Sequence, residues 1–137
     1  MKLQWNIMVA AVVLSAAAPL FAHHSFAAEY DANKKVTLKG VVAKLEWTNP
    51  HIWVYIDVKD ENGQTVRWQC EGGAPNSLSR SGWTRASLKA GDEVEIDGFL
   101  AKDGTHTANA RSVTLPGGKK VFAGSADDGG PNSRSKQ

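Results

Sequence analysis

Only one of the 137 residues is cysteine, Cys70, so no disulfide forms within the chain and stability has to come from packing. An excess of charge is missing too: 16 Lys and Arg stand against 14 Asp and Glu, a formal net of +2. That balance gives no electrostatic reason to expect nucleic acid or an anionic membrane as a partner. The apolar run from Ile7 to Leu14 falls short of the roughly 20 residues that cross a bilayer, so no stable membrane insertion is expected. Recognisable catalytic settings are absent as well. Ser25 and Ser77 lack the surroundings of a nucleophile, and Cys70 shares the strand phase of Val66 and Trp68, which predicts a buried, unreactive thiol. Glu46, Asp57 and Glu71 form no pair that sequence alone defines.

What the chain does have begins with an export signal. Lys2 supplies the positive start, Ile7 to Leu14 the apolar stretch, and Ser15-Ala16-Ala17-Ala18-Pro19-Leu20-Phe21-Ala22 the small-residue end, the order of a cleaved secretory peptide. Cleavage after Ala22 is expected, which places the protein in the periplasm or outside the cell. The remaining length suits one domain with one core, and a monomer is expected. The predicted organisation is a signal peptide over 1–22, an N-terminal segment over 23–34, a β-domain over 35–124 and a disordered tail over 125–137. The tail mixes Gly, Ser, Asp and Lys with almost no apolar residue, too little to offset ordering entropy.

Strands follow from apolar alternation. Ile52, Val54, Ile56 and Val58 recur at period two, with Trp53, Tyr55 and Asp57 on the other face, as a strand with one buried side requires. Asp60-Glu61-Asn62-Gly63 supplies a turn, after which Val66, Trp68 and Cys70 resume the period and complete a hairpin. Val36 to Trp47 is a long strand whose phase shifts near Gly40, where a bulge or sharp bend is expected. Ser77 to Ser81 predicts a turn or two of helix, Leu88 to Gly98 a turn delivering a strand, Ala108 to Leu115 another strand, and Lys120 to Phe122 a last short one. An all-β fold is therefore expected: a small five-stranded Greek-key barrel of the OB type, with one short helix between its third and fourth strands.

Four motifs, His23-His24-Ser25-Phe26, Glu46-Trp47-Thr48-Asn49-Pro50-His51, Glu71-Gly72-Gly73 and Gly82-Trp83-Thr84, span most of the chain beyond the signal. In combination this resembles a family of small exported bacterial proteins of unknown function. The resemblance implies export and a compact β-domain and names no substrate. Cys70 departs from the apolar residue expected beside Glu71-Gly72-Gly73.

Two chemistries stand out. Imidazoles bind Cu(II), Zn(II) and Ni(II), and a chain starting at His23 adds its α-amine, whose pKa of about 7.7–8.0 lets a metal displace its proton near neutrality. His23, His24 and His51 are the candidate metal ligands and copper the candidate ion, in a histidine-brace-like arrangement; His106 reads as an exposed turn residue. Trp47, Trp53, Tyr55 and Trp83 are the candidate ligand-binding aromatics, for a planar or sugar-like ligand stacked on them. The resulting expectation is an exported, non-catalytic domain that binds a metal ion or small ligand. The alternatives are an envelope protein-interaction module using the aromatic surface, and a copper enzyme built on His23.

Overall fold

A computed structural model describes residues 25–125 and 128–131. The signal segment, His23 and His24 lie outside the described residues, as do 126, 127 and 132–137. The element order is α1 (Phe26–Glu29), β1 (Tyr30–Glu46), β2 (Trp53–Lys59), β3 (Thr65–Glu71), α2 (Pro75–Arg80), β4 (Glu93–Ala101), β5 (Thr107–Thr114) and β6 (Lys120–Phe122), an all-β fold with two short helices. Among the described residues no helix is long and apolar enough to cross a membrane.

The alternation in β2 sorts its two faces as the sequence predicts. Ile52, Val54 and Ile56 are at most 1% exposed, while Trp53, Tyr55 and Asp57 are half-buried on the other side. Burying each such aliphatic side chain contributes about 1.5–3 kcal/mol. The hairpin to β3 is closed by the Asp60 carboxylate, which accepts from the backbone N–H of Asn62 and Gln64, both at 2.8 Å; Gly63 carries the positive φ of 75° that side chains disfavour.

One sheet holds the strands in the order β3-β2-β1-β4-β5-β6, with β3 also paired to β5. The β3–β5 contact is parallel, Cys70 lying opposite Ala108 and Glu71 opposite Asn109; the other pairings are antiparallel. The pairings thus run β1-β2-β3-β5-β4 and return to β1. Inside that circuit Leu38, Val42, Ile52, Ile56, Cys70, Ile96 and Val113 form the main core. Leu78 of α2, at 1% exposure, and Trp83, at 3%, join the same core.

Three expectations need correction. The first strand does not bulge at Gly40; its register against β2 shifts between Val42 and Lys44. Gly40 stays in register opposite Val58, and a Cβ there would come within 2.5 Å of the Asp57 carbonyl oxygen, so its glycine serves a close strand approach. Secondly, β1 starts at Tyr30, inside the segment read as preceding the domain. Phe26 and Tyr30, with ring centroids 5.7 Å apart, pack with Phe99 and Ala101 as a second buried cluster. Thirdly, the tail is anchored in part: Asp128 accepts from Arg111 Nη2 at 3.0 and 3.1 Å and takes the Phe26 N–H on its backbone carbonyl. The buried Arg111 guanidinium, 4% exposed, needs an anion, and the tail supplies it.

Candidate functional site at the Trp53–His51 corner

Register builds the first half of the site. Trp53 on β2 lies opposite Glu46 of β1 and Glu71 of β3, and Tyr55 lies opposite Lys44 and Gln69, so these side chains share one face. Tyr55 donates its hydroxyl to Glu46 at 3.0 Å. Lys44 Nζ reaches the other Glu46 oxygen at 2.5 Å and sits 5.5 Å from the Tyr55 ring centroid. The Lys44 ammonium, and next the Tyr55 hydroxyl, hold the Glu46 carboxyl below its usual range. Burial, followed by the Glu46 hydrogen bond, pushes the Tyr55 phenol up. Trp53 is half-buried and belongs to neither buried cluster.

The second half is a buried hydrogen-bond chain. Glu71, 7% exposed, accepts the Tyr30 hydroxyl on one carboxylate oxygen and meets His51 Nδ1 with the other. Backbone pairing brings these residues together: Ile52 N–H donates to the Gly73 carbonyl at 3.0 Å, and Gly72 N–H donates to the Ile52 carbonyl at 2.9 Å. The two glycines after Glu71 permit this approach. A Cβ on Gly72 would fall 2.7 Å from the Ile52 side chain, and one on Gly73 would fall 2.5 Å from the Gly124 carbonyl oxygen. The hydrogen bond to Glu71 leads the factors that hold the His51 pKa above its ordinary value; burial opposes it, and the charges of Glu71, Asp128 and Glu29 assist. Burial first, then Glu71, drives the Tyr30 pKa far upward. A carboxylate on Nδ1 fixes the ring's orientation and leaves Nε2 as its second coordinating or hydrogen-bonding atom.

The structure therefore joins Trp53, Tyr55 and the His51–Glu71 pair through β2 and β3, and it separates the other two aromatics from them. Trp47 is half-buried against the main core. Trp83 is a core residue whose indole donates to the Phe122 carbonyl at 2.8 Å; it offers no stacking surface, because its ring fills the interior between α2 and β6. His23 and His24 lie outside the described residues. His106 sits on the exposed β4–β5 connection with its ring 5.0 Å from that of Trp68. Among the described residues no group of three or more His, Cys, Asp and Glu side chains could hold a metal.

Sequence reasoning missed Tyr30 altogether and left Glu71 as one unpaired carboxylate of three. The signal was faint: an aromatic four residues after Phe26, and a glutamate directly before two glycines. It also passed over Asn109 and Arg111, which are 4% exposed on β5 and keep one unpartnered buried atom each, Oδ1 and Nε. Two grooves among the described residues open elsewhere, one between β1, β4 and the Thr114–Gly117 turn, the other across β1, β4, β5 and β6 beside Phe122.

Comparison with known proteins adds little chemistry. No curated protein matches the chain. A solved structure, the crystal structure of a complex of TiaS with a tRNA and ATP, is similar at 26% identity over 59% of this chain and 18% of that one, with a TM-score of 0.43. A family model matches residues 10–110, the stretch that carries the His23-His24, Glu46-to-His51 and Glu71-Gly72-Gly73 motifs, and the chain accordingly belongs to the family of unknown function DUF6152.

Proposed function

We propose that the protein is exported by its first 22 residues and works in the periplasm or outside the cell as a non-catalytic binding domain. It takes a metal ion or a small planar or sugar-like ligand where Trp53 lies in register with Glu71, the partner of His51. The observation that carries this reading is the Tyr30–Glu71–His51 hydrogen-bond chain, which holds one imidazole in a fixed orientation through Glu71, the residue in register with Trp53. Fixed polar groups beside an apolar surface are what a small-molecule site requires. The strand pairing circuit supports a Greek-key barrel of the OB type, whose second and third strands are the usual ligand face. Both half-sites here lie on or beside β2 and β3.

The test uses ¹⁵N-labelled exported protein and follows the Trp53 indole N–H and the His51 ring. Cu(II) and Zn(II) are added in one series, and an N-acetylglucosamine disaccharide is added with chelator present in another. Saturable shifts centred on Trp53 and His51 in either series support the reading, and Trp53→Ala should abolish those from the sugar. Shifts in neither series, or shifts that survive both Trp53→Ala and His51→Ala, refute it. The same surface would serve an envelope protein partner, for which the charged Lys44–Glu46 rim beside Tyr55 speaks; that reading gains if only whole-cell envelope fractions perturb these resonances.

A further inference from the structure

The groove across β1, β4, β5 and β6 is built around a bulge. Ser112 of β5 lies opposite Asp97 and Ala110 opposite Gly98, so Arg111 is the extra residue between them. A bulge of this kind re-aims the side chain it carries, and Arg111 lines the groove although it is only 4% exposed. Gly98 is its counterpart on β4. A Cβ there would fall 2.0 Å from the Asn109 carbonyl oxygen, so this part of the lining is bare backbone.

Charge and apolar surface then meet in one place. Lys35, Arg111 and Lys120 line the groove against a single carboxylate, Asp97. Asp97 is already occupied: it takes Lys120 Nζ at 2.6 Å, the Thr37 hydroxyl at 2.7 Å and the Ser112 hydroxyl at 3.2 Å. The Lys35 ammonium has no partner among the described residues. Arg111 donates Nη1 to the Ser125 carbonyl at 3.2 Å and Nη2 to Asp128, while its buried Nε has no acceptor among the described residues. Buried donors are normally paired, and one that is not points to a site served by an outside acceptor. Phe122 supplies the apolar wall. It is 38% exposed, and its ring tip meets Arg111 over Gly124, where a Cβ would fall 3.1 Å from Phe122 Cζ and 3.0 Å from Arg111 Nη1. The groove's volume, about 570 Å³, falls within the roughly 300–1,000 Å³ of small-molecule sites. The other groove has the opposite sign, with Asp92, Glu93 and Glu95 against Lys39.

We infer that this groove is a second binding site, for a small aromatic carboxylate whose ring lies against Phe122 and whose anion pairs with Lys35 in the positive field of Arg111 and Lys120. A neutral aromatic would leave the Lys35 ammonium unanswered, and an inorganic anion would make no use of the Phe122 ring. Only a ligand carrying both parts matches the lining, as few fixed polar groups beside an apolar wall select orientation in small-molecule sites. The site is separate from the one at Trp53 and does not rest on it.

The experiment titrates ¹⁵N-labelled protein with benzoate, phenylacetate and indole-3-acetate, each paired with its neutral amide. At least one acid should give saturable shifts at the backbone amides of Lys35, Gly98, Ser112 and Phe122 and at the Arg111 Nε–H, with Val41, Glu93 and the Trp53 indole unmoved. The matching amide should bind about 2–5-fold more weakly, the measure of an exposed ion pair. Lys35→Ala should bring the acid level with the amide, and Lys35→Arg should retain the difference. Phe122→Ala should weaken acid and amide alike by about 2–10-fold, the measure of a ring contact. Lys35 is exposed, so its variants preserve the test if Phe122→Ala does not fold. Added salt should cut the affinity of the acid and spare that of the amide. Saturable shifts from none of the three acids, equal affinity for acid and amide, or unchanged binding in both Lys35→Ala and Phe122→Ala overturn the inference and leave the Trp53 reading untouched. Shifts centred on the Trp53 indole overturn it as well and count toward that other site.

Discussion

Replacing Tyr30 by Phe removes one oxygen atom and tests the buried chain directly. The ring stays, and with it the packing on Phe26 at 5.7 Å and the cluster with Phe99 and Ala101. What disappears is the hydroxyl that donates to Glu71, a carboxylate 7% exposed. A hydrogen bond to a charged group contributes about 1.5–3 kcal/mol, and a buried acceptor stripped of its donor cannot recover that from water. For a domain of this size each kcal/mol moves the melting temperature by roughly 3–6 °C, so a fall of roughly 5–15 °C is expected. The assay is thermal unfolding of the metal-free protein at neutral pH, repeated for Glu71→Gln and for the double variant. Because Tyr30 and Glu71 touch, their effects should be strongly non-additive, with a coupling of about 1–3 kcal/mol. A Tyr30→Phe protein melting within a degree of wild type, or strict additivity in the cycle, would refute the hydrogen bond as a structural tie.

Ile56, fully buried, should not tolerate aspartate: an unpaired buried carboxylate costs several kcal/mol out of roughly 5–15 available, whereas Tyr55→Ala should leave a cooperative melt. A more damaged Tyr55→Ala protein would mean that the faces of β2 are reversed. Burial pushes the Cys70 thiol up to about 12 from an ordinary 9.0; since its folded pKa is the higher one, its contribution is complete below pH 9 and is lost as pH rises from there toward 12. Stability should accordingly fall between pH 9 and 10.5 more steeply in wild type than in Cys70→Ala, and a thiol reagent at pH 8 should label the protein only after unfolding; equal alkaline slopes or rapid labelling of the native state would contradict this. Intact mass of the exported protein should begin at His23, and any other first residue removes the α-amine from the metal chemistry.

Much of the local structure is legible without coordinates because it depends on neighbours in sequence. The period-two alternation of Ile52, Val54 and Ile56 fixes which face of β2 is buried, since successive strand side chains point to opposite sides whatever the partner strand is. Asp60 and Gly63 make the hairpin turn readable for the same reason, and the unreactive setting of Cys70 follows from its phase with Trp68. The bulge is misplaced by sequence alone because a glycine in a strand serves either a bend or a close approach. Only the spacing between Gly40 and the Asp57 carbonyl distinguishes the two.

The candidate site divides along the same line. Trp53, Tyr55 and His51 are named by residue type and strand phase, which are properties of a short stretch of chain. That Tyr30 reaches Glu71 across 41 positions, that Trp83 is consumed by the core, and that Asp128 returns to neutralise Arg111 all depend on long-range pairing. No local pattern encodes those contacts. They exist because the parallel β3–β5 pairing and the return of β4 to β1 bring distant segments into one corner, where burial forces each charged or polar group to find its partner.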